Sequence, residues 1–114
     1  DRLSWVLCPR SNDYIEGARP PVETLRRAGV RIALGTDSLS SNETLSIVEE
    51  LKMLRSVPLD EALRWATLGG AEALGIDSWA GSFVPGKRPG AVLLGGIDFR
   101  TTTLRDDAFS RRIL

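Results

Sequence analysis

The stretch Val30-Arg31-Ile32-Ala33-Leu34-Gly35-Thr36-Asp37-Ser38 decides the fold. Val30, Ile32 and Leu34 are apolar and the intervening Ala33 is small. A strand over 30–34 is therefore buried on both faces, the signature of a parallel sheet. Gly35-Thr36-Asp37-Ser38 ends it. Upstream, Pro20-Pro21 opens a helix in which Val22, Leu25 and Ala28 recur every three residues, and Gly29 stops that helix. Further upstream, Ser4 to Leu7 is a short apolar run closed by Cys8-Pro9, because proline donates nothing to a sheet ladder. Arg10-Ser11-Asn12-Asp13 then reads as a polar loop. Strand, helix and strand in this order imply a β/α unit with parallel strands.

Downstream, Ser40 followed by Glu43 has the form of a capping box and predicts a helix from near Ser41. Leu45, Ile47, Val48, Leu51, Met53 and Leu54 give that helix an apolar face, with Glu49, Glu50 and Lys52 turned outward. It ends before Pro58. Asp60 is the expected N-cap of the next helix, which carries Ala62, Leu63 and Ala66. Gly69-Gly70 weakens that helix, and Ala71 to Leu74 adds a turn or two before Gly75. Beyond Gly75, glycine and proline punctuate short runs, of which Ser82-Phe83-Val84 and Val92-Leu93-Leu94 read as two small strands. Residues 97–114 are polar and weakly patterned, with a frayed terminal helix expected over Asp106 to Arg112. Trp5, Trp65 and Trp79 share no period and are expected to be packing residues.

Composition excludes several functions. The chain has 114 residues, so it holds one domain at most, and a complete (β/α)8 barrel of roughly 250 residues does not fit. Fifteen basic side chains balance fifteen acidic ones with no basic stripe, which argues against nucleic acid and against an anionic membrane as partners. No apolar run approaches the ~20 residues of a membrane span. There is no histidine, hence no Ser-His-Asp triad, no Cys-His dyad and no imidazole metal ligand within the chain. The one cysteine, Cys8, forms no internal disulfide, consistent with a reducing compartment such as the cytoplasm, and reads as a small buried hydrophobe. No signal-peptide pattern opens the chain, and the absence of an initiator Met suggests a processed or partial polypeptide.

Asp37 is the sharpest chemical feature. It ends a buried strand, where ligands of open α/β sheets and barrels sit. A carboxylate there can bind a metal or move a proton. It can equally do no more than accept backbone N–H bonds or cap the next helix. Parallel pairing would bring Ser11 and Asn12 beside it, able to hydrogen-bond a ligand, with Arg10 able to meet an anionic or aromatic group.

Three segments together carry a family resemblance: Leu7-Cys8-Pro9-Arg10-Ser11-Asn12, Pro21-Val22-Glu23-Thr24-Leu25 with Ala28-Gly29-Val30, and Ala33-Leu34-Gly35-Thr36-Asp37-Ser38-Leu39-Ser40-Ser41-Asn42. The chain resembles the C-terminal third of a metal-dependent amidohydrolase, most closely the cytosine-deaminase-like aminohydrolases and chlorohydrolases. Ala66-Thr67, Gly70-Ala71, Ala73-Leu74-Gly75, Gly81-Ser82 and Val84-Pro85-Gly86-Lys87 follow in the family's order, so the likeness spans residues 3–94. It implies an α/β fold made of the last β/α units of a (β/α)8 barrel over 1–76 and β-sandwich strands over 77–96. The polar tail 97–114 matches nothing.

The resemblance further implies hydrolysis of a C–N bond in a small purine- or pyrimidine-like heterocycle. Asp37 would ligate a divalent metal, zinc or iron, and shuttle a proton. Ser11, Asn12, Ser38 and Asn42 would lie against the substrate. The family's histidines and its catalytic glutamate would all precede residue 1. The chain alone is therefore expected to bind no metal and to be inert, and to need a missing N-terminal barrel portion or a second copy of itself. Two departures stand out: those absent histidines, and Pro89-Gly90 where the family has Ala-Asp. The alternative is a non-catalytic interaction or oligomerisation domain derived from an amidohydrolase.

Overall fold

The computed structural model describes residues 3–114, so the first two positions of the expected 1–76 unit lie outside the described residues. Strand β1 (Ser4–Leu7) is followed by helix α1 (Pro9–Glu16), helix α2 (Val22–Arg27) and strand β2 (Arg31–Leu34). β1 and β2 pair in parallel, with Leu7 opposite Leu34. The expected parallel unit is thus present, and Ile32, Ala33 and Leu34 are all buried.

The polar loop expected at 10–13 is instead the first half of α1. Pro9 occupies the first helical turn, where its missing N–H costs nothing, and the Asn12 amide donates to the Cys8 carbonyl at 2.9 Å.

The helix expected from Ser41 begins later, as α3 (Ile47–Lys52). Residues 39–41 form a turn, in which the Ser41 amide donates to the Ser38 carbonyl. Side chains in this segment bond across to other elements, and that competes with helical geometry. Leu45, expected on the apolar face, precedes the helix and is exposed. Glu50, expected to face water, is completely buried.

Helix α4 (Leu59–Arg64) runs through a π-helical turn (Trp65–Gly69) into α5 (Gly70–Leu74). Pro58 stands at the N-cap of α4, and Asp60 lies in its first turn, where a negative charge still suits the helix dipole. Gly69 does not interrupt the helix. A Cβ there would stand 2.4 Å from the Ile32 carbonyl oxygen, so glycine is what lets the π turn lie directly on β2.

A second sheet follows an irregular segment. Strand β3 (Val92–Asp98) pairs antiparallel with strand β4 (Thr103–Arg112). The strand expected at Ser82–Val84 is absent, and the partner of β3 comes from the tail, where a helix was expected. The register slips between Gly95 and Ile97. Gly96 sits there at φ 79, and any Cβ would meet Ala108 Cα at 2.5 Å.

One core joins the two sheets. Leu7, Ile32 and Leu34 pack with Val48, Leu51 and Leu54, and Leu104 and Ala108 of β4 enter the same cluster. Trp65 is a core residue as expected, whereas Trp5 and Trp79 are about half exposed. No helix among the described residues is long and apolar enough to cross a membrane.

Candidate functional site

Parallel pairing places the C-terminal ends of β1 and β2 side by side, and the Gly35 amide continues the ladder to the Leu7 carbonyl at 2.9 Å. From these two ends the chain turns into α1 on one side and into 35–38 on the other. Ser11 and Asp37, 26 residues apart in sequence, meet across that gap. Ser11 Oγ donates to Asp37 Oδ2 at 3.1 Å. It also lies 2.7 Å from Ser41 Oγ, so its single proton serves one of two acceptors at a time. Ser11 and Ser41 are buried, whereas Asp37 keeps contact with solvent. The carboxylate is thus held from behind and open in front. Its backbone is in the left-handed region, φ 58, which aspartate tolerates better than most residues.

A concavity of about 290 Å³ surrounds Asp37, lined by Val6, Cys8, Ser11, Asn12, Ile15 and Glu16. A larger hollow, about 480 Å³, lies across α1 between that helix and residues 39–43. The larger one does not contain Asp37, so the chemistry marks the smaller as the candidate site. Asn12 lies at the rim, and its amide makes one long bond of 3.3 Å to Glu16 Oε2. Ser38 is exposed and hydrogen-bonds Ser40.

Asn42 differs from the other expected substrate-binding residues. It is buried, its Nδ2 donates to Thr36 O at 2.9 Å and Glu50 Oε1 at 2.6 Å, and its Oδ1 accepts from Arg10 Nε and the Thr44 amide. Its hydrogen-bonding atoms are committed within the chain, so Asn42 supports the site from behind. Sequence reasoning brings Ser11, Asn12 and Asp37 to one place, as found. It misses Glu50, because an acidic residue beside Glu49 and Lys52 on a short helix carries no local sign of burial.

Cys8 lines the site half-buried. Burial pushes its thiol up, and the nearby carboxylates of Asp37 and Glu50 add to that, against a hydrogen bond from the Asp37 backbone. This disfavours the thiolate and so argues against a nucleophilic role for Cys8.

Among the described residues no three His, Cys, Asp or Glu side chains gather as a metal site. Asp37 has the right chemistry for one oxygen ligand of a divalent ion. A catalytic zinc takes three protein ligands, and the described residues do not complete that set.

The family model for the amidohydrolase family matches residues 1–113. Among curated relatives, a 5-methylthioadenosine/S-adenosylhomocysteine deaminase of Halobacterium salinarum is 43% identical over 66% of this chain and 20% of its own length. Its namesake from Pelotomaculum thermopropionicum is 38% identical over 87% of this chain and 24% of its own. Among solved structures, a zinc-bound adenosine deaminase from Xanthomonas campestris aligns with a TM-score of 0.68 at 35% identity, covering 78% of this chain and 23% of that one. The guanine deaminase of E. coli gives 0.68 at 29% identity, over 80% and 22%. The chain thus spans a fifth to a quarter of the length of the relatives it matches. With the match running over nearly every residue, the chain belongs to the amidohydrolase family.

Proposed function

We propose that this chain forms the C-terminal quarter of a metal-dependent amidohydrolase that hydrolytically deaminates a purine nucleoside or a related nitrogen heterocycle. One observation carries the reading: an open carboxylate, Asp37, at the C-terminal end of a buried parallel strand, braced by Ser11 from the neighbouring strand end. That strand end is where barrel enzymes keep their chemistry. The family match and the names of the relatives support the reaction class. In this reading β1 and β2 are the last two strands of a barrel whose earlier strands lie outside this chain. β3 and β4 belong to the flanking sandwich.

Asp37 is the catalytic carboxylate and one ligand of a divalent metal, zinc or iron, whose other ligands come from outside the described residues. When bound, that ion would supply Lewis-acid activation of water. In the overall change water adds to a ring carbon, the carbon–nitrogen bond to the exocyclic amine breaks, and ammonia leaves. Asp37 accepts the proton released by water and returns it to the departing nitrogen. The Ser11 hydroxyl holds Oδ2 in place for both transfers. Asn12, which lines the concavity, and the exposed Ser38 next to Asp37 are the residues of this chain we assign to hydrogen-bonding a heterocycle. The buried amide of Asn42 is a support rather than a substrate contact.

The test is ammonia release by the complete polypeptide carrying this chain, supplied with zinc or iron. Methylthioadenosine, S-adenosylhomocysteine, adenosine and guanine are the first substrates. Asp37→Asn should lower kcat/KM by at least about a hundredfold, in line with loss of a general acid–base group. No ammonia from any heterocycle, or an Asp37→Asn variant of undiminished activity, overturns the reading. In that case the chain is a non-catalytic relative of the family.

A further inference from the structure

We propose that Glu50 is the positioning residue that sets the geometry of Asp37; this rests on the deaminase reading above. Glu50 lies within α3 and is fully buried, at 0% exposure. A buried carboxylate is costly unless its oxygens are satisfied. Both are: Oε2 accepts the Arg10 backbone N–H at 3.0 Å, and Oε1 accepts Asn42 Nδ2 at 2.6 Å. Neither partner is a cation, because the Arg10 guanidinium turns to Asn42 Oδ1 and to Glu43 instead.

The partners explain why the charge sits there. The Arg10 amide belongs to the first turn of α1, where N–H groups lack partners inside the helix. Glu50 therefore fixes the start of α1, and the next residue, Ser11, donates to Asp37. On the other side Asn42 spends its second amide proton on Thr36 O, the carbonyl immediately before Asp37. One carboxylate thus clamps both flanks of the catalytic side chain. It also braces the left-handed backbone of Asp37, φ 58, which carries some strain even in aspartate. An apolar residue at position 50 could fill the space but could not accept two N–H groups.

The direction of the two bonds provides the test. In Glu50→Gln one of the two N–H donors faces an NH₂ group. Glu50→Asp instead keeps a carboxylate able to accept from both the Arg10 backbone and Asn42 Nδ2, on a side chain one methylene shorter. The complete polypeptide is compared in three forms by steady-state kinetics and by backbone hydrogen exchange.

E50Q should lower kcat about tenfold or more with KM changed less than about threefold, since small misplacements of a reacting group act on the chemical step. Exchange should quicken in peptides 8–16 and 35–44 while the rest of the chain stays protected. E50D should keep kcat at least about threefold above that of E50Q, because both oxygens at position 50 remain acceptors. E50Q with the parent kcat, or a loss matched by a fall in folded protein, overturns the proposal. So does faster exchange spread over the whole chain. If E50Q does not fold, E50D decides: folded and active with quicker exchange confined to those peptides supports the proposal, and any other result overturns it. If the parent itself releases no ammonia, the deaminase reading falls and the hydrogen-exchange data alone judge Glu50.

Discussion

Asp37 combines solvent access with a left-handed backbone, and strain of this kind, on the order of 1–3 kcal/mol, persists where surrounding bonds over-determine it. Here those bonds come from Ser11, directly, and from Asn42 through Thr36. The neighbouring Cys8 offers a probe that does not depend on catalysis. Burial, reinforced by Asp37 and Glu50, raises its pKa, so less thiolate exists at a given pH than for a free cysteine. Alkylation of the folded protein should reach half its maximal rate at a higher pH than alkylation of a free thiol. Because the folded state keeps its proton longer, stability from this group is present below the unfolded thiol pKa and falls as pH rises through the folded one. A midpoint at or below that of free cysteine would contradict the environment described. The place of Asp37 after a buried strand was legible in the sequence. That of Glu50 was not, because its partners are an amide 40 residues away and a side chain in another segment.

Among the elements, the helical stretch from α4 to α5 depends on close contact with β2. In Gly69→Ala the new Cβ would press on the Ile32 carbonyl, and neither side of that contact is a flexible side chain. The variant should lose about 1–3 kcal/mol in denaturant unfolding, as over-packed sites do. Gly70 has open space around its Cβ, so Gly70→Ala should instead stabilise by about 0.5–1 kcal/mol. Equal effects at both positions would mean that the contact with β2 carries no weight.

The expected element boundaries failed where local and long-range bonds compete. Ser40 and Glu43 have the spacing of a capping box, but the buried bonds of Ser41 and Asn42 to other segments hold that stretch as a turn. In the tail, Leu104 and Ala108 are the buried positions, four apart, a spacing that fits both a helix turn and one face of a strand. Pairing with β3 decides for the strand.

At the scale of the whole molecule, a two-stranded parallel sheet is unusual, because such sheets are ordinarily covered on both faces. β1 leaves Trp5 and Val6 more than half exposed on opposite faces, next to an exposed Leu3. A family in which matched members are roughly four times as long has ample chain to cover them. Equilibrium dialysis should find no stoichiometric, tightly held zinc on the 114-residue chain by itself, and about one ion on the complete polypeptide. Tight zinc on the short chain would mean that ligands other than Asp37 are close at hand.

By itself the sequence determined the parallel β/α unit, the family and the place of Asp37 at a strand end. The unit and the strand end follow from short-range patterns, namely a short apolar run, a glycine stop and a turn after a buried strand, and the family from the resemblance of its motifs. Only the tertiary structure decided that Ser11 meets Asp37 from within a helix, that Glu50 is buried behind them, and that the tail returns as the partner of β3. Each of these depends on bonds between residues far apart in the chain, whose energies exceed the local preferences that a sequence displays.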